Sequence, residues 1–186
     1  MEQLVLDCYG LHVLNTEVIK SGLINDTWKI VTSGEEKAYV VQRVNRGVFP
    51  DPAVIDQNSR SLKSYFDEVH PNYLFVAPIA GLDGKTMYND YRLFPYIEDS
   101  ISLHTCQTAQ QAFEAASQFS KFTFKLKDYD VHKLCIPLPH FHDLAYRYDQ
   151  LLAAMRNPLH QGRIGSCRDI LMWAIGEAAI IDRYKV

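Results

Sequence analysis

A single helix pattern inside a series of strand patterns limits the folds that the first hundred residues can adopt. Asp51 precedes Pro52, a pair typical of a helix start because the carboxylate caps free amides and proline fits the first helical position. Pro71 ends the pattern. The apolar positions that recur at helical spacing are Ile55, Leu62, Phe66 and Val69. The sequence therefore predicts one helix over residues 52–70, with its apolar face against a sheet.

Mixed apolar, β-branched and polar residues on both sides of this helix predict β-strands. The strand patterns cover residues 13–20, 27–32, 37–44, 73–79, 85–88 and 91–97. Turn residues separate them, among them the segment 21–26 and the pair Asn89 and Asp90. We therefore expect a twisted antiparallel sheet with one packed helix.

Helical spacing dominates the second half of the chain. Thr108 and Gln111 fit a capping box, and further helix patterns cover residues 143–155 and 166–184. The composition changes near residues 98–105. We therefore expect an α+β protein with an antiparallel β-rich lobe over residues 1–98, a helical lobe over residues 99–186 and a cleft where they meet.

The charge balance and the cysteine spacing exclude several classes of protein. Nineteen Lys and Arg residues against 22 Asp and Glu residues give a formal net charge of -3, and no long basic run offers a patch for a phosphate backbone. No apolar stretch approaches the ~20 residues of a membrane span. The first seven residues carry acids where a signal peptide carries Lys or Arg, and the four cysteines are scattered. We expect a cytoplasmic protein that binds neither nucleic acid nor membrane.

Four segments together resemble one enzyme family. They are 22–28 (Gly-Leu-Ile-Asn-Asp-Thr-Trp), 39–49 (Tyr-Val-Val-Gln-Arg-Val-Asn-Arg-Gly-Val-Phe), 92–97 (Arg-Leu-Phe-Pro-Tyr-Ile) and 136–143 (Ile-Pro-Leu-Pro-His-Phe-His-Asp). In this order they resemble the aminoglycoside-phosphotransferase-like kinases, and most of all the N-acetylhexosamine 1-kinases. The resemblance covers essentially the whole chain. It implies a protein-kinase-like fold, with ATP and Mg²⁺ as the cofactors of the full-length protein.

The resemblance also implies which residues contact the nucleotide. In the turn that would cover the phosphates, Asn25 and Thr27 can add donors, although Gly22 alone makes a poorer cradle than three glycines. The connector between the lobes comprises Pro95, Tyr96 and Ile97. Because proline has no N–H, one of the two residues after it would donate to the adenine. Taken alone, the turn is an ordinary hairpin turn and the connector is the end of a core strand, and these alternatives stay open.

The third strand departs from the kinase pattern. A kinase places there a Lys that pairs the ATP phosphates with a Glu of the next helix. This sequence has Gln42 beside Arg43, and acids occur only near the two ends of the helix over 52–70. Strand alternation lets only one of the two side chains face the nucleotide, and the sequence leaves open which one. The departure weakens the case for phosphate binding by a Lys–Glu pair.

The catalytic groups of this family have no counterpart in the 186 residues. Phosphoryl transfer in the family needs a base Asp in a His-x-Asp loop and a metal-binding Asp soon after it. None of the seven histidines is followed two residues later by Asp. We therefore assign no catalytic or metal-binding residue. By the resemblance we expect the sequence to be the N-terminal part of a longer kinase, ending before the catalytic loop and inactive alone.

The resemblance implies phosphoryl transfer to the anomeric hydroxyl of an N-acetylhexosamine. One alternative is a kinase of the same fold for another alcohol, such as an aminoglycoside or a choline-like amine. A second is a catalytically dead, kinase-like module that binds a nucleotide or a partner. An incomplete helical lobe should also expose apolar side chains and favour a homodimer or a swapped assembly. The side chains concerned are Phe113, Trp173, Ile180 and Ile181.

Overall fold

The chain forms two compact units, Met1–Pro137 and Leu138–Val186. The computed structural model describes residues 3–33, 37–157, 159 and 161–184. The boundary that we predicted between a β-rich and a helical lobe, at residues 98 and 99, falls inside the first unit. That lobe boundary stays a prediction.

The first unit contains a four-stranded antiparallel sheet with the strand order β1-β2-β3-β4. The strands are β1 (Val13–Val18), β2 (Asp26–Thr32), β3 (Ala38–Arg43) and β4 (Tyr91–Pro95). Each strand pairs antiparallel with the next. The antiparallel sheet together with the helices confirms the predicted α+β class.

The two faces of the sheet differ in burial. Ile30, Val41 and Leu93 are almost completely buried on one face, where they pack with Val5 and Leu6 of a short helix, α1 (Gln3–Asp7). Our sequence reading did not predict α1. The other face, which we name the open face, carries side chains that remain partly accessible. Its members on β2, β3 and β4 are Thr27, Lys29, Val40, Gln42, Arg92 and Phe94.

The predicted helix after β3 is present as α2 (Pro52–Val69). Its first turn is capped by Asp51, whose Oδ1 accepts from the Ala53 amide at 3.1 Å. We expected its apolar face against the sheet. Instead the buried ring of Phe66 stacks on two rings of the segment after the helix and on one ring of α3 (Ala109–Lys125). The helix α2 therefore packs against both that segment and α3. A 3₁₀ turn follows α3 at Val131–Lys133.

Two predicted strands, over residues 73–79 and 85–88, are wrong. In the first, Phe75 donates back to the Tyr73 carbonyl in a local turn, and only the amide of Ile79 reaches the sheet, donating to the Leu93 carbonyl at 2.7 Å. In the second, pairing is limited to a single bridge between Tyr88 and Tyr91. The turn at Asn89 and Asp90 is confirmed: both residues have positive φ, 45° and 69°, as a two-residue hairpin turn of this type requires.

The second unit is helical. It contains α4 (Leu144–Arg156), α5 (Gln161–Ser166), α6 (Arg168–Gly176) and α7 (Ile180–Tyr184). The continuous helix predicted over 166–184 is wrong, because the backbone of Cys167 leaves helical geometry and turns follow Gly176. Within the described ranges, no helix combines the length and the apolar character that a membrane crossing requires.

Candidate functional site

Three polar side chains form a row across the open face at one end of the sheet. Thr27 of β2 pairs with Gln42 of β3, and Gln42 pairs with Arg92 of β4. Residues that pair across antiparallel strands lie on the same face of the sheet. The next row toward the other end is more apolar, since it places Lys29, Val40 and Phe94 side by side.

The guanidinium of Arg92 is held in place by a neutral partner. Its Nε and Nη2 both donate to Oε1 of Gln42, at 3.1 and 2.7 Å, and its Cζ lies 5.1 Å from the ring centre of Phe94. Burial lowers the pKa of Arg92, and the nearby charge of Asp56 opposes this effect in part. Among the described residues no carboxylate lies within ion-pair distance of this guanidinium. Arg92 is thus a partly buried cation with no bonded counter-ion in the described part of the chain.

Three other cations of the first unit have carboxylate partners. Around a cavity of about 570 Å³ beside the start of α2, the pairs are Arg46 with Asp90 (2.7 Å), Arg60 with Asp56 (3.0 Å) and Lys85 with Asp83 (2.8 Å). Asp56 also accepts a hydrogen bond from the hydroxyl of Thr86. The charges around this cavity are therefore largely balanced internally, in contrast to that of Arg92.

The structure places Gln42 and Arg43 on opposite faces of β3. Gln42 lies on the open face, whereas exposed Arg43 lies on the side of Tyr91, with its Cζ 5.7 Å from that ring centre. Arg43 borders a cavity of about 350 Å³ together with Asp26, the residue of β2 that pairs with it. Only Gln42 of this pair therefore shares a face with Arg92.

The turn between β1 and β2 is tied to the loop after β3. Oδ1 of Asn25 accepts from the Asn45 amide at 3.0 Å, and Nδ2 of Asn45 donates to the Ile24 carbonyl at 3.1 Å. The hydroxyl of Thr27 donates to the Asn25 carbonyl at 3.4 Å. A Cβ on Gly22 would have only an ordinary contact, 3.4 Å from that same carbonyl oxygen. The polar side chains predicted to cover phosphates thus stabilise the turn itself.

The connector after β4 offers one amide to a ligand. The Tyr96 amide donates to the Ala38 carbonyl at 3.2 Å and so extends the β3–β4 ladder. Pro95 has no amide hydrogen. The Ile97 amide has no acceptor within the described part of the chain, while its carbonyl accepts from the Ser100 hydroxyl at 2.6 Å. Lys29 places its Nζ 3.8 Å from the ring centre of Tyr96 on the open face.

The described ranges contain no cluster of three or more His, Cys, Asp or Glu side chains suited to a metal ion. The residues described thus do not provide a set of Mg²⁺ ligands. Asp143, which stands beside two histidines in the sequence, serves as the cap of α4: it accepts from the Tyr146 amide at 2.9 Å and bonds His140 Nδ1 at 3.1 Å. Asp143 is therefore the N-cap of α4.

Arg92 is the site residue that sequence reasoning missed. Tyr91, Leu93 and Pro95 alternate along β4 on the buried side, so a charged residue between them must face the other way. That alternation is a signal in the sequence. The partner Gln42, fifty residues earlier, becomes evident only from the register of β3 and β4.

No protein-family model matches the chain. Among solved structures, the chain is similar to a spectinomycin phosphotransferase crystallised with ADP and spectinomycin. The TM-score is 0.49 and the sequence identity is 14%. The similarity covers 83% of this chain and 45% of that chain, so this chain spans less than half of that protein's length.

Proposed function

We propose that this chain is the nucleotide-binding part of an ATP-dependent small-molecule kinase with a protein-kinase-like fold. One arrangement carries the proposal: the open face has a polar row at the end near the β1–β2 turn and the Ile97 amide at the end near the connector. Tyr96 follows Arg92 by four residue steps of extended chain, on the order of 13 Å. This span is on the scale of an extended nucleoside triphosphate.

The two ends of the open face suit the two parts of ATP. At the connector, the Ile97 amide is the available donor to the adenine edge, because the Tyr96 amide is already bonded to Ala38. Apolar Val40 and Phe94 lie between the two ends, where a flat ring system can pack. The polar row then faces the phosphates, and Gln42 rather than Arg43 is the β3 residue on that side.

Titration calorimetry of the 186-residue chain with ATP and with adenosine tests this function. We expect both ligands to bind and Ile97→Pro to weaken both at least tenfold, because proline removes the donor amide. Ile101→Pro is the matched control, since Ile101 is an exposed residue of the same loop. The proposal fails if the unaltered chain binds neither ligand, or if both proline variants bind alike.

The acceptor follows from the family resemblance. The best-matched reaction is phosphoryl transfer to the anomeric hydroxyl of an N-acetylhexosamine, with a longer natural protein supplying the base Asp and the Mg²⁺ ligands. The intact mass of the protein from its native cells tests for that longer chain. Comparing phosphorylation of N-acetylhexosamines with that of aminoglycosides and choline by the native protein then identifies the acceptor.

A second candidate is a kinase-like module that binds a nucleotide or a partner without transfer. The lack of a metal-binding cluster in the described ranges favours it, because phosphoryl transfer relies on Mg²⁺ to neutralise charge. A native mass of 21.4 kDa, with equal ATP affinity in the presence and absence of Mg²⁺, would support this candidate over the kinase.

Self-association also belongs to the proposal. Phe113 in the first unit is 64% exposed, and in the second unit Trp173 and Ile180 are 67% and 56% exposed. Ile181, which we expected to be exposed as well, is partly buried. Large exposed apolar side chains promote association. Sedimentation velocity at micromolar concentration should show a dimer or larger species, and a monodisperse monomer contradicts this expectation.

A further inference from the structure

We infer that Arg92, oriented by Gln42, is the anion anchor of the open face and binds the phosphate groups of the nucleotide. The identity of that anion rests on the proposed function. The placement of the anchor on β4, rather than on β3 where kinases carry a lysine, comes from the side-chain geometry of this chain.

The first support is the charge that Arg92 leaves unmatched. Removing a cation from water is costly unless an opposite charge compensates it. The neighbour that holds Arg92 is a neutral amide, and the carboxylate of Asp56 is bonded to Arg60 and Thr86 instead. An anion that binds at the open face supplies the missing charge.

The second support is the orientation of the guanidinium. It has five N–H donors in a planar fork, and Gln42 accepts from two of them. Within the described part of the chain the other three are left for a ligand. The contact with the Phe94 ring further restricts the plane of the fork. A pre-oriented arginine suits phosphate oxygens because it can bond two of them at once.

The third support is the position of the row. The family resemblance places Gln42 where a kinase has its phosphate-binding lysine, and the register sets Arg92 directly beside Gln42 on the next strand. Neighbouring strands are about 4.8 Å apart. A cation on β4 therefore occupies the same part of the face as a cation on β3. The side-chain amide of Gln42 acts as the positioning group.

Two other cations are poorer candidates for this role. Arg43 lies on the opposite face, beside Tyr91. Lys29 lies on the open face, but in the row next to that of Thr27 and Gln42, farther from the β1–β2 turn. Its ammonium contacts the ring of Tyr96. Arg92 is the cation that shares a row with both Thr27 and Gln42.

Two substitutions in the 186-residue chain test the anchor by different routes. Arg92→Gln removes the charge. Gln42→Glu keeps the shape and puts a carboxylate against the guanidinium, so that the charge is neutralised internally. In titration calorimetry we expect each variant to bind ATP and ADP roughly 10- to 100-fold more weakly, the range for loss of a charged hydrogen bond. Adenosine affinity should change less than twofold, because adenosine has no phosphate.

Lys63→Gln provides the control for a change of net charge, because Lys63 is a partly exposed residue of α2 paired with Asp67. It should leave ATP affinity unchanged. Should Arg92→Gln lose its far-UV circular dichroism, Gln42→Glu decides alone, since the added ion pair keeps the buried guanidinium satisfied.

The outcomes separate the anchor from the proposed function. Unchanged ATP affinity in Gln42→Glu and Arg92→Gln, with the unaltered chain binding ATP, overturns the anchor and leaves the function standing. Equal losses for ATP and adenosine in Gln42→Glu also overturn it, because the effect is then not on phosphate. If the unaltered chain binds neither ATP nor adenosine, the proposed function fails and the anchor fails with it.

Discussion

Replacing Phe66 by alanine should severely destabilise the first unit. The ring is 1% exposed, and its centre lies 4.8 Å from that of Phe75, 5.0 Å from Tyr73 and 5.8 Å from Phe122. It therefore holds α2, the segment after it and α3 together. Burial of a Phe side chain is typically worth about 3–5 kcal/mol against alanine, and stacked ring pairs add to its value. We expect a loss of about 4 kcal/mol in the free energy of unfolding.

This loss is large against the total. Domains of this size have roughly 5–15 kcal/mol of stability, so the variant should lose between about a quarter and most of it. The midpoint of thermal unfolding should fall by on the order of 10 °C. The wild-type chain has one tryptophan in each unit, Trp28 and Trp173. Urea unfolding is therefore followed by Trp28 fluorescence in a Trp173→Phe background, so that the signal reports the first unit.

Phe119→Ala is the matched control, because Phe119 is likewise a helical phenylalanine, in α3, but is 75% exposed. It should change the unfolding free energy by less than about 0.5 kcal/mol. A loss below 1 kcal/mol in Phe66→Ala, or equal losses in both variants, would show that the ring cluster does not connect α2 with α3.

Substitutions at three further positions test local geometry. Gly81→Ala should cost roughly 1–3 kcal/mol in urea unfolding, because the new Cβ would lie 2.7 Å from the Cys8 carbonyl oxygen and closer still to the Tyr88 hydroxyl. Asn89→Val should cost about 1–2 kcal/mol, since φ is positive there, whereas Asn89→Gly should be neutral or better. Hydrogen bonds from an α4 amide and a histidine hold the pKa of Asp143 below its usual value. Its stabilisation of α4 is therefore present above the ordinary carboxyl pKa of about 4 and is lost as the pH falls through the folded value. Asp143→Ala should remove this acid-dependent loss of helical circular dichroism between pH 5 and 2.

Helix starts were predictable because their chemistry is local. Asp51, Thr108 and Asp143 each stand directly before a helix, and each accepts a hydrogen bond from an amide of the first turn. The hairpin turn at residues 89 and 90 was predictable for the same reason. All four observed strands also follow from local patterning, since each lies within or overlaps a predicted strand segment.

Features that depend on distant partners were not predictable. The residues over 73–79 have strand-like composition, but Phe75 turns inward to stack on Phe66 and the segment contributes only one amide to the sheet. The five residues of α1 carry no cap or repeat that would mark a helix, although Val5 and Leu6 become part of the core. The helix predicted over 166–184 is interrupted after Gly176, where turns separate α6 from α7 although the local pattern predicted continuity.

The same distinction explains why the site was predicted only in part. Alternation along β3 requires that Gln42 and Arg43 face opposite ways, but the sequence does not say which face is buried until Val41 is seen in the core. Once that face is known, Gln42 is neutral and on the open side, so under the proposed function the charge that binds phosphate has to come from a neighbouring strand. Arg92 meets this need through the register of β3 and β4. A search for a lysine at one position in the sequence overlooks it, whereas a search for a cation in one row of the sheet finds it.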